Sequence, residues 1–200
     1  MMDSIIPSSY SLPLPCPKRL FGTPVKIHLT MVIFFVIEFS ASLPFITTFP
    51  LYCVLVVVLC GPILLATVML HEWGHLWMSR RILGDDVHDV VLWPLGGYTF
   101  CDGLSISTED EAATKGDLKD DIKIALAGSL THVPMCLFWF AMYAAINNGD
   151  VSGFTFRRYL TVISSLQGFF STLFEQACLI NILLFWFNVF VPAYPLDGSR

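Results

Sequence analysis

Four long apolar stretches constrain this chain more than any other feature of its sequence. Leu51 to Leu70 is a run of 20 residues without a single charge, which is the length that a helix needs to cross a bilayer core about 30 Å thick. The stretches at about 27–46, 122–146 and 177–191 are also strongly apolar. Only 14% of all residues are charged, against about 25% in soluble domains. This composition excludes a disordered chain and predicts an integral, multi-pass membrane protein.

The charged and polar residues predict the organisation around these spans. Residues 1–24 are rich in Pro and Ser and predict a flexible tail, whereas residues 25–200 predict one intramembrane domain. Lys and Arg cluster before the first span and around residues 80–123, which places both termini and the 82–121 segment on the cytosolic side. The net charge is −5, so we expect the lipid bilayer as a partner and no nucleic acid. The oligomeric state and the organelle are not predicted.

A motif with metal-binding spacing follows the uncharged stretch directly. His71 and His75 are four residues apart, so a helix places both imidazoles on one face, where they can hold one Zn²⁺ ion. Glu72 lies beside them and can take a proton from a water that the metal activates. With five His and five Glu in 200 residues, about 0.003 such HExxH patterns are expected by chance. The alternative interpretation is a pair of structural histidines. The position of the motif favours a functional site, because ionisable residues beside a membrane span are functional candidates.

A zinc hydrolase needs a third protein ligand and one open position. His132 and Glu175 lie in apolar segments that could return to the site. The chain also ends in NVFVPAYPLDGSR, where two prolines break a helix. Broken helix at membrane depth occurs where it is buried in protein or lines a polar cavity, so this segment could carry Asp197 inward. Taken alone, these residues fit an ordinary turn at the end of a span better.

Together, the two elements resemble the site-2 protease family of intramembrane zinc metalloproteases. HEWGH precedes NVFVPAYPLDG by about 110 residues, and the family combines HExxH with an Asn-x-x-Pro-x-x-Pro-x-Asp-Gly element. In this chain, one more residue separates Asn188 from Pro192 than in the shortest form of that pattern. KIHLT, PLGGYTF and AGSLTHVP resemble its first helix, its Gly-Gly strand and its middle helix. The resemblance implies a helical membrane protein with about four to five transmembrane helices around an intramembrane zinc site, and a short β-hairpin at the membrane surface.

The same resemblance implies a role for each matching residue. His71, His75 and Asp197 are the expected zinc ligands, Glu72 is the expected general base, and Asn188 is expected near the scissile peptide. The function implied is a zinc-dependent endopeptidase that cleaves transmembrane segments of other membrane proteins.

The substrate backbone must unwind before it can be cleaved, and an exposed strand edge could then hold it extended. The segment Leu95 to Phe100, with Gly96 and Gly97 as substrate-binding residues, is our candidate edge, and an ordinary surface hairpin explains it about as well.

Two departures from the family pattern leave alternatives open. His132 stands near the position where many members have Asn, so it either contacts a ligand or the substrate, or is a core histidine. The chain ends at Arg200, just after Asp197 and Gly198, where family members continue into a helix, so we expect a fragment whose Asp197 is less firmly held. The alternatives are an inactive relative that binds membrane proteins without cleavage, and another class of membrane zincin with Glu175 as ligand.

Overall fold

The computed structural model describes residues 11–13, 24–83, 87–101, 111–155 and 163–190. Within these ranges the helices are α1 (Leu29–Ser42), α2 (Pro50–Val58), α3 (Leu64–Leu83), α4 (Glu111–Leu130), α5 (His132–Ile146) and α6 (Leu166–Phe190). The strands are β1 (Ser11–Pro13), β2 (Val25–His28), β3 (Val87–Trp93) and β4 (Gly96–Cys101). The predicted fold class, a helical membrane protein with a small sheet, is confirmed.

Three helical segments of the described chain are long and apolar enough to cross a membrane, namely Pro50–Ile82, Lys119–Ile146 and Leu166–Phe190. The first predicted span is shorter than expected, because its apolar helix covers only Leu29–Phe45. Ile27 and His28 belong to β2 instead. The imidazole Nδ1 of His28 accepts a hydrogen bond from the backbone N–H of Thr30, which caps the start of α1.

The segment that carries HEWGH is one long helical rod with a local irregularity. Helices α2 and α3 are joined by a π-helical turn, Leu59–Ile63, which contains Pro62. Proline has no backbone N–H to donate within an α-helix, and local π adjustments in membrane helices re-satisfy the backbone groups that it frees. The rod then continues as α3 without interruption through His71 and His75.

The third predicted span bends between α4 and α5. Thr131 forms a turn there, and both its backbone N–H and its hydroxyl donate to the carbonyl oxygen of Gly128, at 3.0 and 2.7 Å. Pro134 follows three residues later and cannot donate to the carbonyl of Leu130, which explains why the helix breaks here. His132 therefore stands at the first position of α5.

The predicted hairpin forms part of a larger sheet. Strands β3 and β4 are antiparallel, with Trp93 paired to Gly96, so the Pro94–Leu95 turn lies where the sequence predicts the break. The sheet order is β1-β2-β3-β4, with β2 parallel to β3 and β1 antiparallel to β2. Strand β1 lies within the segment predicted as a tail, and the rest of residues 1–23 lies outside the described ranges.

The sheet packs on the helix that carries HEWGH. A buried cluster joins one side of the sheet to α1, α3 and α6, and consists of Val25, Met31, Leu64, Val68, Leu76, Val90, Leu92 and Leu184. Helix α6 is the most enclosed span, with half of its most apolar window buried. It begins at Leu166, well before the apolar stretch that starts at Ala177. The sheet and α6 thereby both pack against α3, the helix that carries HEWGH.

Candidate metal centre

The described part of the chain contains one cluster with the donors of a metal site. His71, Glu72 and His75 are all buried, and their ligand atoms lie within 4.8 Å of one another. Helix α3 brings His71 and His75 together because residues four apart share a face, and Glu72 is the next residue along the chain after His71. The predicted pairing of the two histidines is therefore seen in the structure.

The donor geometry fits a zinc ion. The Nε2 atoms of His71 and His75 face each other at 3.0 Å, close to the roughly 3.3 Å that separates two nitrogens bound to one tetrahedral zinc. The carboxylate Oε1 of Glu72 lies 3.7 Å from Nε2 of His71. Two imidazole nitrogens and a nearby carboxylate in a buried site are the donor types that Zn²⁺ prefers.

His75 is held in place by helix α4. Its Nδ1 donates to the backbone carbonyl oxygen of Ile124 at 2.7 Å, which leaves Nε2 as the ligand atom. Its ring lies directly against Gly128, where any Cβ would overlap the imidazole. A Cβ on Gly74 would come within 2.6 Å of the Ala127 carbonyl oxygen. These two glycines let α3 and α4 approach closely, as small residues do in membrane helix pairs.

His71 is held from a different direction. Its Nδ1 lies 3.1 Å from Nε2 of His132 on α5. The Nδ1 of His132 in turn lies 3.0 Å from the side-chain oxygen of Asn181 on α6. The sequence leaves open whether His132 contacts a ligand or the substrate, or is a core histidine. The distance to His71 supports contact with a candidate ligand. His132 does not belong to the metal-donor cluster itself.

Glu72 lies under the second strand of the hairpin. A Cβ on Gly97 would lie 2.5 to 2.9 Å from the Cδ, Cγ and Oε1 atoms of Glu72, so only glycine leaves room for this carboxylate. The neighbouring Gly96 has looser surroundings, and a Cβ there would lie 3.8 Å from the side-chain oxygen of Asn188. Strand β4 therefore joins Glu72 and Asn188 in one region.

Asn188 reaches this region from the last described turns of α6. It is buried, and its side-chain N–H donates to the carbonyl oxygen of Leu184 at 2.9 Å. That bond turns the amide oxygen towards Gly96. Asn188 therefore lies near Gly96, and Glu72 lies near Gly97 on the same strand.

The structure describes one of the two candidates for the third ligand, Glu175, but not the other, Asp197. Asp197 lies outside the described residues, together with Pro192, Pro195 and Gly198. Glu175 is described, and it is not part of the cluster formed by His71, Glu72 and His75. Its carboxylate instead accepts a hydrogen bond from the backbone N–H of Thr155 at 2.9 Å.

Several groups that shape the centre are absent from the sequence prediction. They are the backbone carbonyl of Ile124, the glycines Gly74 and Gly128, and the amide of Asn181. Gly128 and His132 both lie in the AGSLTHVP segment. A glycine close to a histidine within an apolar stretch could therefore have indicated a close helix contact near the site. Nothing local in the sequence marks Ile124 or Asn181.

Known proteins resemble this chain in both sequence and fold. A zinc metalloprotease of Methanocaldococcus jannaschii is 24% identical over 184 residues, which make up 91% of this chain and 42% of that protein. The chain thus spans less than half the length of that relative. The solved structure of a site-2 protease from Methanocaldococcus jannaschii matches 96% of this chain and 69% of its own with a TM-score of 0.59 at 23% identity.

The shared fold and the zinc metalloprotease relative confirm the resemblance drawn from HEWGH and the Asp-Gly element. The sequence profile described as "Peptidase family M50" matches residues 62–200. This match covers more than half of the chain and begins in the π-helical turn before His71. The protein is therefore an integral membrane member of peptidase family M50.

Proposed function

We propose that this protein is a zinc-dependent intramembrane endopeptidase that hydrolyses peptide bonds within or near transmembrane segments of membrane proteins. One observation carries the proposal: the buried cluster of His71, Glu72 and His75 lies on a helix of membrane-spanning length, directly beneath strand β4. At this place, a water activated at the cluster would lie next to a peptide extended along β4. We take residues 25–200 as the protease domain and residues 1–24 as its tail.

The zinc would be held by the Nε2 atoms of His71 and His75, with Asp197 as third ligand by the resemblance. When bound, zinc supplies Lewis acidity that makes water nucleophilic at neutral pH. The 3.0 Å separation of the two Nε2 atoms supports the two histidines as a pair. Asp197 rests on the family pattern alone.

Glu72 is the proposed general base. It takes one proton as the water oxygen attacks the scissile carbonyl carbon, and it returns a proton to the amide nitrogen as the C–N bond breaks. Its carboxylate is buried beside His71, at 3.7 Å from Nε2. Glycine at position 97 supports this role because it leaves the space that the carboxylate occupies.

Strand β4 is the proposed docking edge for the substrate. It is the terminal strand of the described sheet and pairs with β3 on one side. A substrate helix has its backbone groups paired internally, so cleavage requires local unwinding. An unwound segment added along β4 would pass Gly96 and Gly97, and the amide of Asn188 could hydrogen-bond its backbone.

Zinc content and cleavage together test the proposal. We expect about one zinc per wild-type chain in detergent, much less in Asp197→Ala, and a full complement in Glu72→Gln and in the control Asp150→Asn. Asp150 lies in the exposed turn after α5, where its carboxylate accepts from the N–H of Ser152. The substrate is a tagged single transmembrane segment that contains a helix-breaking Gly-Pro pair.

Each outcome identifies a function. Cleavage by wild type and Asp150→Asn but not by Glu72→Gln supports the protease. Zinc without cleavage of any tested segment favours a relative that binds membrane proteins without cutting them. Equal zinc in wild type and Asp197→Ala would assign the third ligand to another residue, and no zinc in wild type would contradict the metal centre.

A further inference from the structure

A chain of buried hydrogen bonds runs from the backbone of α6 to the first candidate zinc ligand. The side-chain N–H of Asn181 donates to the carbonyl oxygen of Ala177 at 2.9 Å. The Asn181 oxygen lies 3.0 Å from Nδ1 of His132, whose Nε2 lies 3.1 Å from Nδ1 of His71. All three side chains are at most 2% exposed.

The donors and acceptors in this series of hydrogen bonds fix the direction in which each bond is donated. A backbone carbonyl only accepts, so the amide nitrogen of Asn181 must face Ala177 and its oxygen must face His132. That oxygen also only accepts, so His132 carries its proton on Nδ1. In the neutral His132 ring, Nε2 is then an acceptor, and it accepts a hydrogen bond from the N–H on Nδ1 of His71. The lone pair of His71 is left on Nε2.

The second ligand reaches the same state by a shorter route. His75 donates from Nδ1 to the backbone carbonyl of Ile124 at 2.7 Å, so its lone pair is also on Nε2. The two Nε2 atoms that carry these lone pairs lie 3.0 Å apart. One ligand is oriented directly by the backbone of α4, and the other through two side chains from α5 and α6.

We propose that His132 and Asn181 are positioning residues that hold His71 in the tautomer and orientation required for zinc binding. The inference rests on the proposed metal centre. Metal ligands commonly donate their second ring N–H to an outer partner, and loss of that partner weakens metal binding by about 10- to 100-fold. Here the relay also makes the affinity for zinc depend on how α5 and α6 pack against α3.

Zinc affinity of the full chain tests the relay without any substrate. Dissociation constants are measured in detergent by competition with a chelator, and bound Co²⁺ reports the ligand field by its visible absorption. His132→Phe keeps a ring but removes the acceptor, and we expect about 10- to 100-fold weaker zinc binding with altered Co²⁺ bands. His132→Gln restores an acceptor at the reach of Nε2, and we expect affinity within a few-fold of wild type.

Two more variants separate the relay from simple packing. Asn181→Leu removes the far end of the relay while leaving His132 in place, and we expect zinc binding weakened by about 10-fold. Thr172→Val is the matched control, because it deletes another buried hydrogen bond on α6, from Thr172 to the Gly168 carbonyl. We expect its zinc affinity to equal that of wild type, whatever its melting temperature.

The contrary results are distinct. Wild-type affinity in His132→Phe or in Asn181→Leu overturns the relay, and so does weak binding in His132→Gln equal to that of His132→Phe. If His132→Phe does not fold, Asn181→Leu and His132→Gln still decide the question. Absence of zinc from the wild-type protein would instead contradict the proposed function together with the relay.

Discussion

Glu72 and Glu175 are two buried carboxylates on membrane-spanning helices, and their surroundings differ completely. Glu72 is 2% exposed and lies beside two imidazoles and beneath Gly97. Glu175 is 6% exposed, accepts from the backbone of Thr155, and lines a cavity of about 480 Å³ with hydroxyl and amide side chains. A buried carboxylate in a membrane protein is a functional candidate by default. Burial alone therefore does not distinguish Glu72 from Glu175, whereas the groups that surround each carboxylate do.

The comparison extends to the packing around each carboxylate. The Glu72 region is made of close backbone contacts, with glycines at positions 74, 97 and 128. The Glu175 region combines a hydrophobic cluster, whose members include Phe169, Phe174 and Tyr143, with a cavity of about 480 Å³. Tight glycine packing fixes atoms within the tolerance that a catalytic site needs, and a loose polar cavity does not.

Removal of the carboxylate charge should give the largest difference between Glu72 and Glu175 in cleavage rate. We expect Glu72→Gln to lower the cleavage rate by about 10³-fold, since general acid–base catalysis contributes about 10² to 10⁴-fold, while zinc content stays at wild-type level. Glu175→Gln should retain the wild-type rate. The measurement is single-turnover cleavage of a transmembrane segment, and equal losses in both variants would show that Glu72 has no special role.

Addition of one methyl group beside His75 should have the next largest effect. A Cβ on Gly128 would overlap the imidazole, so we expect Gly128→Ala to weaken zinc binding by up to about 10²-fold, the range seen for lost support of a ligand. The control is Gly61→Ala, where the new Cβ would lie 3.5 Å from the ring of Phe35, an ordinary contact. Zinc titration of both variants checks this, and unchanged affinity in Gly128→Ala would contradict the packing described.

Adjacent glycines in β4 provide a finer test. We expect Gly97→Ala to lower kcat by about 10-fold or more, because displacement of a catalytic group by about 1 Å can cost up to 10²-fold, and to keep its zinc. Gly96→Ala meets its neighbours only at 3.6 and 3.8 Å, so its loss should be several times smaller. The reverse order of the two losses in a kinetic assay would show that Glu72 does not depend on Gly97.

Local patterns in the sequence predicted the parts of the site that neighbouring residues create. The four-residue spacing within HEWGH and the apolar run before it sufficed for the His71, Glu72 and His75 cluster. The Pro-Leu-Gly-Gly break likewise predicted the turn of the β3–β4 hairpin, because turn chemistry is local. The positions of Asp197 and of the substrate remain predictions.

Contacts between distant segments were beyond the same patterns. Strand β2 has only four residues and pairs with β3 about 65 residues later, Val25 opposite Val90. Because it directly precedes an apolar stretch, its sequence was interpreted as the start of a helix. The carbonyl of Ile124 and the amide of Asn181 gain their roles only when α4 and α6 pack on α3. The bend at Thr131 had a signal in Pro134, but its consequence, the delivery of His132 to His71, is tertiary.

The smallest effect is expected at the second carboxylate itself. Glu175→Gln keeps an oxygen that can accept from the Thr155 N–H, so we expect a loss of at most about 1 kcal/mol in unfolding free energy, the net value of one hydrogen bond. Glu175→Leu removes the acceptor for this N–H altogether, so we expect a larger loss of about 1.5 kcal/mol, the upper end for one hydrogen bond. Denaturation in mild detergent compares the two, with zinc content unchanged in both. A loss of zinc in Glu175→Leu with the fold intact would make this carboxylate part of the metal centre, and the distinction between the two regions would fail.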